Sequence, residues 1–426
     1  PKIAQVLADI ATSLAAGAPP PEYFNHARFF ILPKKAGGLV EHTRGISVTN
    51  CENRFVARAW AVELTPALHQ INHPKQKGFV PGEEGTEHVH GLTDDYYACL
   101  ERKQQHHILL LDTKRAFDTL SHSFIHGVLL AIGIGVAFAT TIVGLLHEVM
   151  VIPVLAGGDM EHAIPIRRGV KQGCPLSPLL FILCFNVLLY YLDSIQTLRK
   201  YGYADDLALG SRSVTLLLMA LAVVKVFGRL SGLLTNQDKT VVVSTKEPSK
   251  GTKRRFKEAG WGSIKFKAKG KYLGVIFGRH VGTTEVFEGA EAAFYKRVGQ
   301  MRGVMETSSL HDRILICNIF LLPLFSYLSQ FYIMPYSMVR RAKETLRKRV
   351  VAFNGGGFGY AHLITPKGEG WGPHTPLRDL WSWNLTLLGA GYPLEDSEGQ
   401  VEVVAGELAH LLPFLDERRT WNFMRI

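Results

Sequence analysis

Cysteine is scarce, with 5 in 426 residues. Cys51, Cys99, Cys174, Cys184 and Cys317 stand far apart and show no Cys-x-x-Cys spacing. This excludes a disulfide-framed secreted domain and implies reduced thiols inside a cell. His88, His90, His106 and His107 lack a Cys or His partner at ligand spacing, so no zinc site is expected. Acidic residues are also in short supply, 37 against 48 Lys and Arg, for a formal net charge of +11. A pI near 9.3 favours a polyanionic partner. No leader peptide is visible, and the chain opens on Pro1 without Met, so it reads as a piece of a longer product. There is no internal repeat. The Gly-rich stretch from Asn354 to Gly359 lacks the Lys-Ser/Thr of a phosphate-binding P-loop and reads as a hinge.

Long uncharged runs are present, from Gly127 to Leu146 and from Ile314 to Val339. Length alone would make both membrane spans. Gly133-Ile134-Gly135 predicts that the first splits into two short buried helices. Asn318, Pro323, Gln330 and Pro335 predict packed helices for the second, so no membrane partner is expected. At 47% hydrophobic and 20% charged the mix is that of two to four ordinary globular domains or subdomains.

Chemistry concentrates at two strand ends. In ILLLDTKRAFDTL the apolar run Ile108 to Leu111 stops at Asp112. In YGYADDLALG (201–210) two short apolar runs flank Asp205 and Asp206, which predicts a hairpin with the two acids as its connection. Carboxylates at strand ends suit a hard-cation site that keeps positions open for substrate phosphates. An adjacent Asp pair alone is more often a solvated turn. The segment between the two sites adds weight. IRRGVKQGCPLSPLLFILCFNVLLYYL (166–192) opens as a Gly-rich basic loop, where Gly169, Gln172 and Gly173 let backbone and an amide approach a planar ligand. It continues as a long apolar helix, with Ser177 expected at the N-cap and Pro178 at the first helical position.

Taken in order, these motifs resemble the reverse transcriptases, most of all those of LINE-type (non-LTR) retrotransposons. DTKRAFD looks like the first palm motif, QGCPLSPLLF the second and YADD the third. GLLTNQDKT (232–240) and KYLGVIFG (271–278) look like the fourth motif and the primer grip. FFILPKKAGG (29–38), TRGISVTN (43–50) and KQKGFVPG (75–82) resemble the fingers segments. DRILICNIFLLPLFSYLSQFYIMP (312–335) resembles the thumb, and FNGGG with WNLTLLGAG the region beyond. The resemblance runs from about residue 22 onward. It implies an α+β fold, the right-hand polymerase, with an N-terminal helix and fingers over 1–105. A palm of small antiparallel sheet backed by helices follows over 106–280, then a helical thumb over 281–353. Residues 354–426, rich in Trp (Trp371, Trp381, Trp383, Trp421), have no assigned role.

The implied activity is RNA-directed DNA synthesis, extending a primer 3′-hydroxyl with dNTPs on an RNA template. The implied cofactors are two Mg²⁺ ions, with Mn²⁺ as a substitute. The partners would be template RNA, DNA primer or target, and dNTPs, in the nucleus if the element is eukaryotic. Asp112, Asp205 and Asp206 would hold the metals, while Asp118 would brace its turn. Phe117 would be the gate against a ribose 2′-hydroxyl, core packing being its other reading. Gln172, backed by Gly173, would lie against the incoming sugar and base. Lys34 or Lys35 and Arg44 would hold the triphosphate, and Lys239 would be a general acid for pyrophosphate. Tyr272, Leu273 and Gly274 would seat the primer end. Phosphate tracking would fall to the basic stretch Lys246–Lys271, where Lys265, Lys267 and Lys269 alternate with Phe266 and Ala268 along one strand. Arg340 and Arg341 would contribute from a second basic cluster on a helix. A merely solvated surface is the other reading of both clusters. Two departures stand out. Gly45 replaces the usual proline after Arg44, loosening a turn, and Glu83 and Glu84 put negative charge where the family often has arginine. No endonuclease, RNase H set or Cys/His knuckle is visible. A group II intron-type maturase, and a decayed or domesticated nucleic-acid-binding copy without synthesis, stay open as alternatives.

Overall fold

The computed structural model describes residues 2–21, 23–33, 43–147, 149–155, 158–159 and 163–351. Lys34, Lys35, the Gly-rich hinge and the four C-terminal tryptophans lie outside the described residues. The chain divides into two units, Pro1–Arg279 and His280–Ile426.

The first unit starts with α1 (Lys2–Ala15), which ends before the Pro19–Pro21 break. β1 (Ala27–Pro33) and β2 (Thr43–Thr49) pair antiparallel, with Ile31 opposite Gly45. Then come α2 (Cys51–Ile71), α3 (Thr86–Glu101) and β3 (His107–Leu111). A single helical turn, α4 (Ala116–Thr119), leads into α5 (His122–Ala131) and α6 (Val136–His147). The first uncharged run therefore breaks between α5 and α6, where Gly133 takes φ 88°. That left-handed conformation costs glycine little and ends the helix.

β4 (Val149–Leu155), β5 (Gly158–Asp159) and β6 (Ile164–Ile166) complete the first sheet, in which β4 runs parallel to β1. α7 (Ser177–Leu192) is apolar nearly all round, and Phe181, Ile182, Cys184, Leu189 and Leu192 are fully buried. Burying each such large side chain contributes about 1.5–3 kcal/mol, so α7 anchors the core. Its first turn differs from expectation. Leu176 is the N-cap and Ser177 already lies in the helix, because its N–H is taken by the Cys174 carbonyl at 3.2 Å.

β7 (Arg199–Tyr203), β8 (Asp206–Ser211), α8 (Val214–Ser231), β9 (Val241–Ser244), α9 (Lys250–Glu258) and β10 (Lys265–Lys267) follow. The second sheet has the order β10-β9-β3-β8-β7, with β3 at its centre, antiparallel to both neighbours. The α8 helix is long and apolar enough to cross a membrane by length and composition. Its inner face, Leu217, Ala220, Leu221, Val224 and Phe227, is buried in the core. β11 (Lys269–Tyr272) and β12 (Val275–Gly278) form a separate hairpin. The lysine-alternating stretch is thus two strands rather than one. It breaks at Ala268, whose carbonyl receives the Arg279 N–H at 2.9 Å instead of continuing the β10 ladder.

In the second unit, α10 (Thr283–Gln300) and α11 (Arg302–Thr307) precede α12 (Leu310–Ile316), which runs into a π-helical turn, Cys317–Leu321. α13 (Pro323–Ser326) and α14 (Tyr336–Val351) follow among the described residues. The second uncharged run is therefore several short helices, with Phe325, Leu321 and Leu322 fully buried. The mixed α+β class expected from the sequence is observed, and all five cysteines are free thiols.

Candidate active site

The register of the central sheet sets the acidic groups. Leu111 at the end of β3 pairs with Leu207 of β8, and Tyr203 pairs with Asp206 across the β7–β8 hairpin. One further step of that register puts Asp112 opposite Asp206, on the face away from Leu111 and Leu207. The hairpin connection is Ala204–Asp205, one residue earlier than the sequence suggested, and Asp206 already belongs to β8. The reason lies in the backbone. Ala204 takes φ 53°, which opens a two-residue turn whose twist matches the flanking strands. Asp205 then stands at the tip and Asp206 beside Asp112.

The three carboxylates press on one another. Burial raises the Asp205 carboxyl above the usual range and repulsion from Asp112 adds to it, while its own backbone N–H and the Arg44 guanidinium pull the other way. Burial first, then repulsion from Asp205 and Asp112, push Asp206 up to about 6. Asp206 is nonetheless open to solvent on one side, so water screens part of this effect. As the side chains stand, no three His, Cys, Asp or Glu among the described residues converge tightly enough to enclose an ion. What the site offers is concentrated, uncompensated negative charge with Arg44 beside it.

The loops around this centre are locked to it. The Asn236 N–H donates to the Asp112 carbonyl at 2.7 Å and the Lys114 N–H to the Leu234 carbonyl at 2.8 Å, so GLLTNQDKT lies along the first motif. Gln172 Nε2 donates to Asp118 Oδ1 at 3.1 Å. The brace expected of Asp118 thus falls on the glutamine of the second motif. Gly173 has φ 119°, and a Cβ there would lie 2.6 Å from the Ser47 carbonyl oxygen. The Ser47 N–H meanwhile donates to the Gln172 carbonyl at 2.9 Å.

Phe117 is half-buried. Its ring stacks on Phe181 with centroids 4.8 Å apart and planes 8° apart, and meets the edge of Phe79 at 6.0 Å. The ring therefore packs on the core helix α7 while part of its surface stays open. Tyr272 is buried and its hydroxyl donates to the Tyr201 carbonyl at 3.0 Å, tying the β11–β12 hairpin to β7. Leu273 (φ 44°) and Gly274 (φ 90°) form its turn.

Lys239 is exposed, as are Lys265 and Lys267, whereas Lys269 is half-buried. In the second unit Arg340 is exposed and Arg341 is paired with Glu291 at 2.7 Å. The structure changes the reading of Gly45 and of Glu83. Gly45 lies within β2 rather than in a turn, and the Phe29 ring occupies the space where its Cβ would be, with Cζ 2.1 Å away. Glu83 is no free charge, since it and Glu87 both pair with Lys77, whereas Glu84 is exposed and accepts from the Thr86 hydroxyl at 3.2 Å.

Sequence reasoning missed Gln76, Phe79 and Asp95. Phe79 adopts φ 58°, and Asp95 accepts from the Tyr201 hydroxyl. The signal for the first two was KQKGFVPG itself, seen as a motif without a role for its side chains.

The profile of the reverse transcriptase (RNA-dependent DNA polymerase) family matches residues 32–277. Among curated proteins, the chain is 35% identical over 212 residues to the retrovirus-related Pol polyprotein from type-1 retrotransposable element R2 of Popillia japonica, covering 47% of this chain and 29% of that protein. It is 25% identical over 306 residues to the transposon TX1 uncharacterized 149 kDa protein of Xenopus laevis, covering 68% and 23%. It is 29% identical over 230 residues to the retron Mx65 reverse transcriptase of Myxococcus xanthus, covering 52% and 49%. The chain spans less than half the length of each of these relatives.

Proposed function

The chain belongs to the reverse transcriptase (RNA-dependent DNA polymerase) family, and from that premise we propose that it is the polymerase core of a LINE-type retrotransposon, extending a primer 3′-hydroxyl with dNTPs on RNA. The similarity to the R2 and TX1 proteins supports the LINE assignment. The observation that carries the chemistry is the sheet register that brings Asp112, at the end of β3, beside Asp205 and Asp206 of the β7–β8 hairpin.

Reverse transcriptases are metal-dependent polymerases, and an all-oxygen donor set of three carboxylates fits hard divalent cations. Asp112, Asp205 and Asp206 would hold two Mg²⁺, or Mn²⁺ in their place. Bound there, the ions supply Lewis-acid activation of the primer hydroxyl and neutralisation of the triphosphate. Repulsion keeps the carboxylates apart without a cation, and cation charge removes that barrier. Arg44 brings a guanidinium fork to the same centre, suited to a triphosphate oxygen pair. Gln172, steadied by Asp118, presents its amide beside the half-buried Phe117, where a sugar and base would lie.

Primer extension on an RNA template with dNTPs and Mg²⁺ tests the reading, beside an Asp205→Asn, Asp206→Asn control. Extension that the control abolishes is expected. A folded protein that binds primer–template without extending it would instead favour a copy that no longer synthesises.

A further inference from the structure

The strained residue in the catalytic hairpin has a single side chain attached to its backbone. Ala204 is a non-glycine residue at φ 53°, a conformation that persists only where its surroundings enforce it. In an isolated hairpin the peptide groups of such a turn would face water. Here Gln76, fully buried, takes them. Its Oε1 accepts from the Ala204 N–H at 2.8 Å and its Nε2 donates to the Ala204 carbonyl at 3.2 Å. The same Oε1 accepts from the Gly78 N–H at 2.9 Å, which fixes the amide in its turn.

The backbone on either side of Gln76 is also bound to the hairpin. Gly202 N–H donates to the Lys75 carbonyl at 3.0 Å and Lys77 N–H to the Gly202 carbonyl at 2.9 Å, so residues 75–77 run as a short parallel bridge along β7. Gly78 then passes so close that a Cβ there would lie 2.1 Å from the Ala204 nitrogen. The Gln76 side chain thus sits in a fixed frame, 128 residues away in sequence from the residue it holds.

We propose that Gln76 is a positioning residue for catalysis, a carboxamide clamp that holds Ala204 in its left-handed conformation and so fixes the direction of Asp205. It touches neither substrate nor metal and acts through the Ala204 backbone. The inference rests on the polymerase reading above. A buried amide is suited to this task because it satisfies a donor and an acceptor of one residue at once without adding charge beside Asp205.

Two variants and one background test it. Gln76→Met keeps the bulk and removes all three hydrogen bonds. Gln76→Glu keeps the acceptor for the Ala204 and Gly78 N–H groups, but it turns a carboxylate oxygen toward the Ala204 carbonyl and adds charge beside Asp205. Ala204→Gly removes the steric cost of positive φ. In primer extension, Gln76→Met is expected to lower kcat by about 10²-fold, the scale of a small misplacement of a reacting group, with KM for dNTP little changed and the Mg²⁺ needed for half-activation raised. Gln76→Glu should also lose activity, since it keeps the shape and the acceptor but not the neutral donor. In the Ala204→Gly background the penalty of Gln76→Met should shrink, since coupled sites are non-additive.

Hydrogen exchange supplies a readout independent of activity: the peptide spanning Tyr201 to Ala208 should lose protection in Gln76→Met while α7 keeps its own. The clamp is overturned if Gln76→Met retains wild-type kcat and hairpin protection. It is equally overturned if its losses follow folded fraction alone with an unmoved Mg²⁺ requirement. Should wild type extend no primer, the polymerase reading fails, while exchange in the hairpin still decides the clamp.

Discussion

Removing the Phe117 ring separates its two readings. The ring is half-buried, stacked at 4.8 Å on the fully buried Phe181 and edge-on to Phe79 at 6.0 Å. A fully buried Phe→Ala change costs about 3–5 kcal/mol. About half of that for the buried half, plus about 0.5–1.5 kcal/mol for the lost stack, gives about 2–4 kcal/mol for Phe117→Ala. Urea unfolding would register this whatever the ring does in catalysis. If its open edge also lies against the substrate sugar, the ratio of dNTP to rNTP incorporation should collapse together with stability. About 10²-fold is at stake, the range over which a filled apolar pocket rejects an added hydroxyl. Phe117→Tyr should keep the gate, because it keeps the bulk. Phe79→Ala removes a half-exposed neighbour, so it should cost only about 0.5–1.5 kcal/mol and leave the gate closed. A Phe117→Ala protein that is destabilised as calculated yet discriminates like wild type would refute the gate and leave only packing.

Asp206 binds its proton more tightly folded, at about 6, than unfolded, near 3.8. Its favourable contribution is therefore complete below about pH 3.8, is lost as pH rises to about 6, and stays absent above. Metal-free wild type should accordingly lose melting temperature across that window relative to Asp206→Asn. Mg²⁺ at neutral pH should stabilise wild type more than the variant, and equal shifts would sink the shared-cation assignment. Replacing exposed Lys265 and Lys267 by Ala should lower the salt slope of primer–template binding by about 1.4–1.8, from about 0.7–0.9 per phosphate contact; an unaltered slope would make that face only solvated. Gly78→Ala should cost more than about 3 kcal/mol, because its Cβ meets the Ala204 backbone, which cannot swing aside. Gly45→Ala should cost about 1 kcal/mol, because the Phe29 ring can turn away. Thermal melts that rank the two glycines the other way would refute the packing around the hairpin.

The parts of the site legible in the sequence are those written in local pattern. Apolar runs ending in Asp112 and flanking Asp205 gave the strands, and their order gave the family. What stayed hidden depends on register and long-range contact. The one-residue shift of the turn follows from Ala204 at positive φ, which no propensity assigns to alanine. Gln76 reads as an ordinary loop residue until the chain brings it under a hairpin far away in sequence. Ala268 looks like one more apolar position of an alternating strand, yet the ladder stops there. Ser177 suits an N-cap by type, but the Cys174 carbonyl reaches its N–H first.

The segment 75–87 shows how a departure from the family pattern can be absorbed. Glu83 and Glu84 stand where arginine is common, and as free charges beside a template path they would repel phosphate. Lys77, largely buried, takes both Glu83 and Glu87 as partners. Glu87 lies in the first turn of α3, where a negative charge also suits the helix dipole. Glu83 and Glu87 therefore join the loop to α3 in the same stretch from which Gln76 reaches the Ala204 turn and Gly85 leaves room for the Tyr203 and Leu273 side chains. The Glu83 charge is thus directed inward to Lys77, in the segment that carries Gln76. Arg44, whose guanidinium acts on the Asp205 carboxyl, stands one residue before the glycine that Phe29 covers. At Gly45 and at Glu83 a neighbouring side chain has thus taken up the difference, Phe29 in the one case and Lys77 in the other.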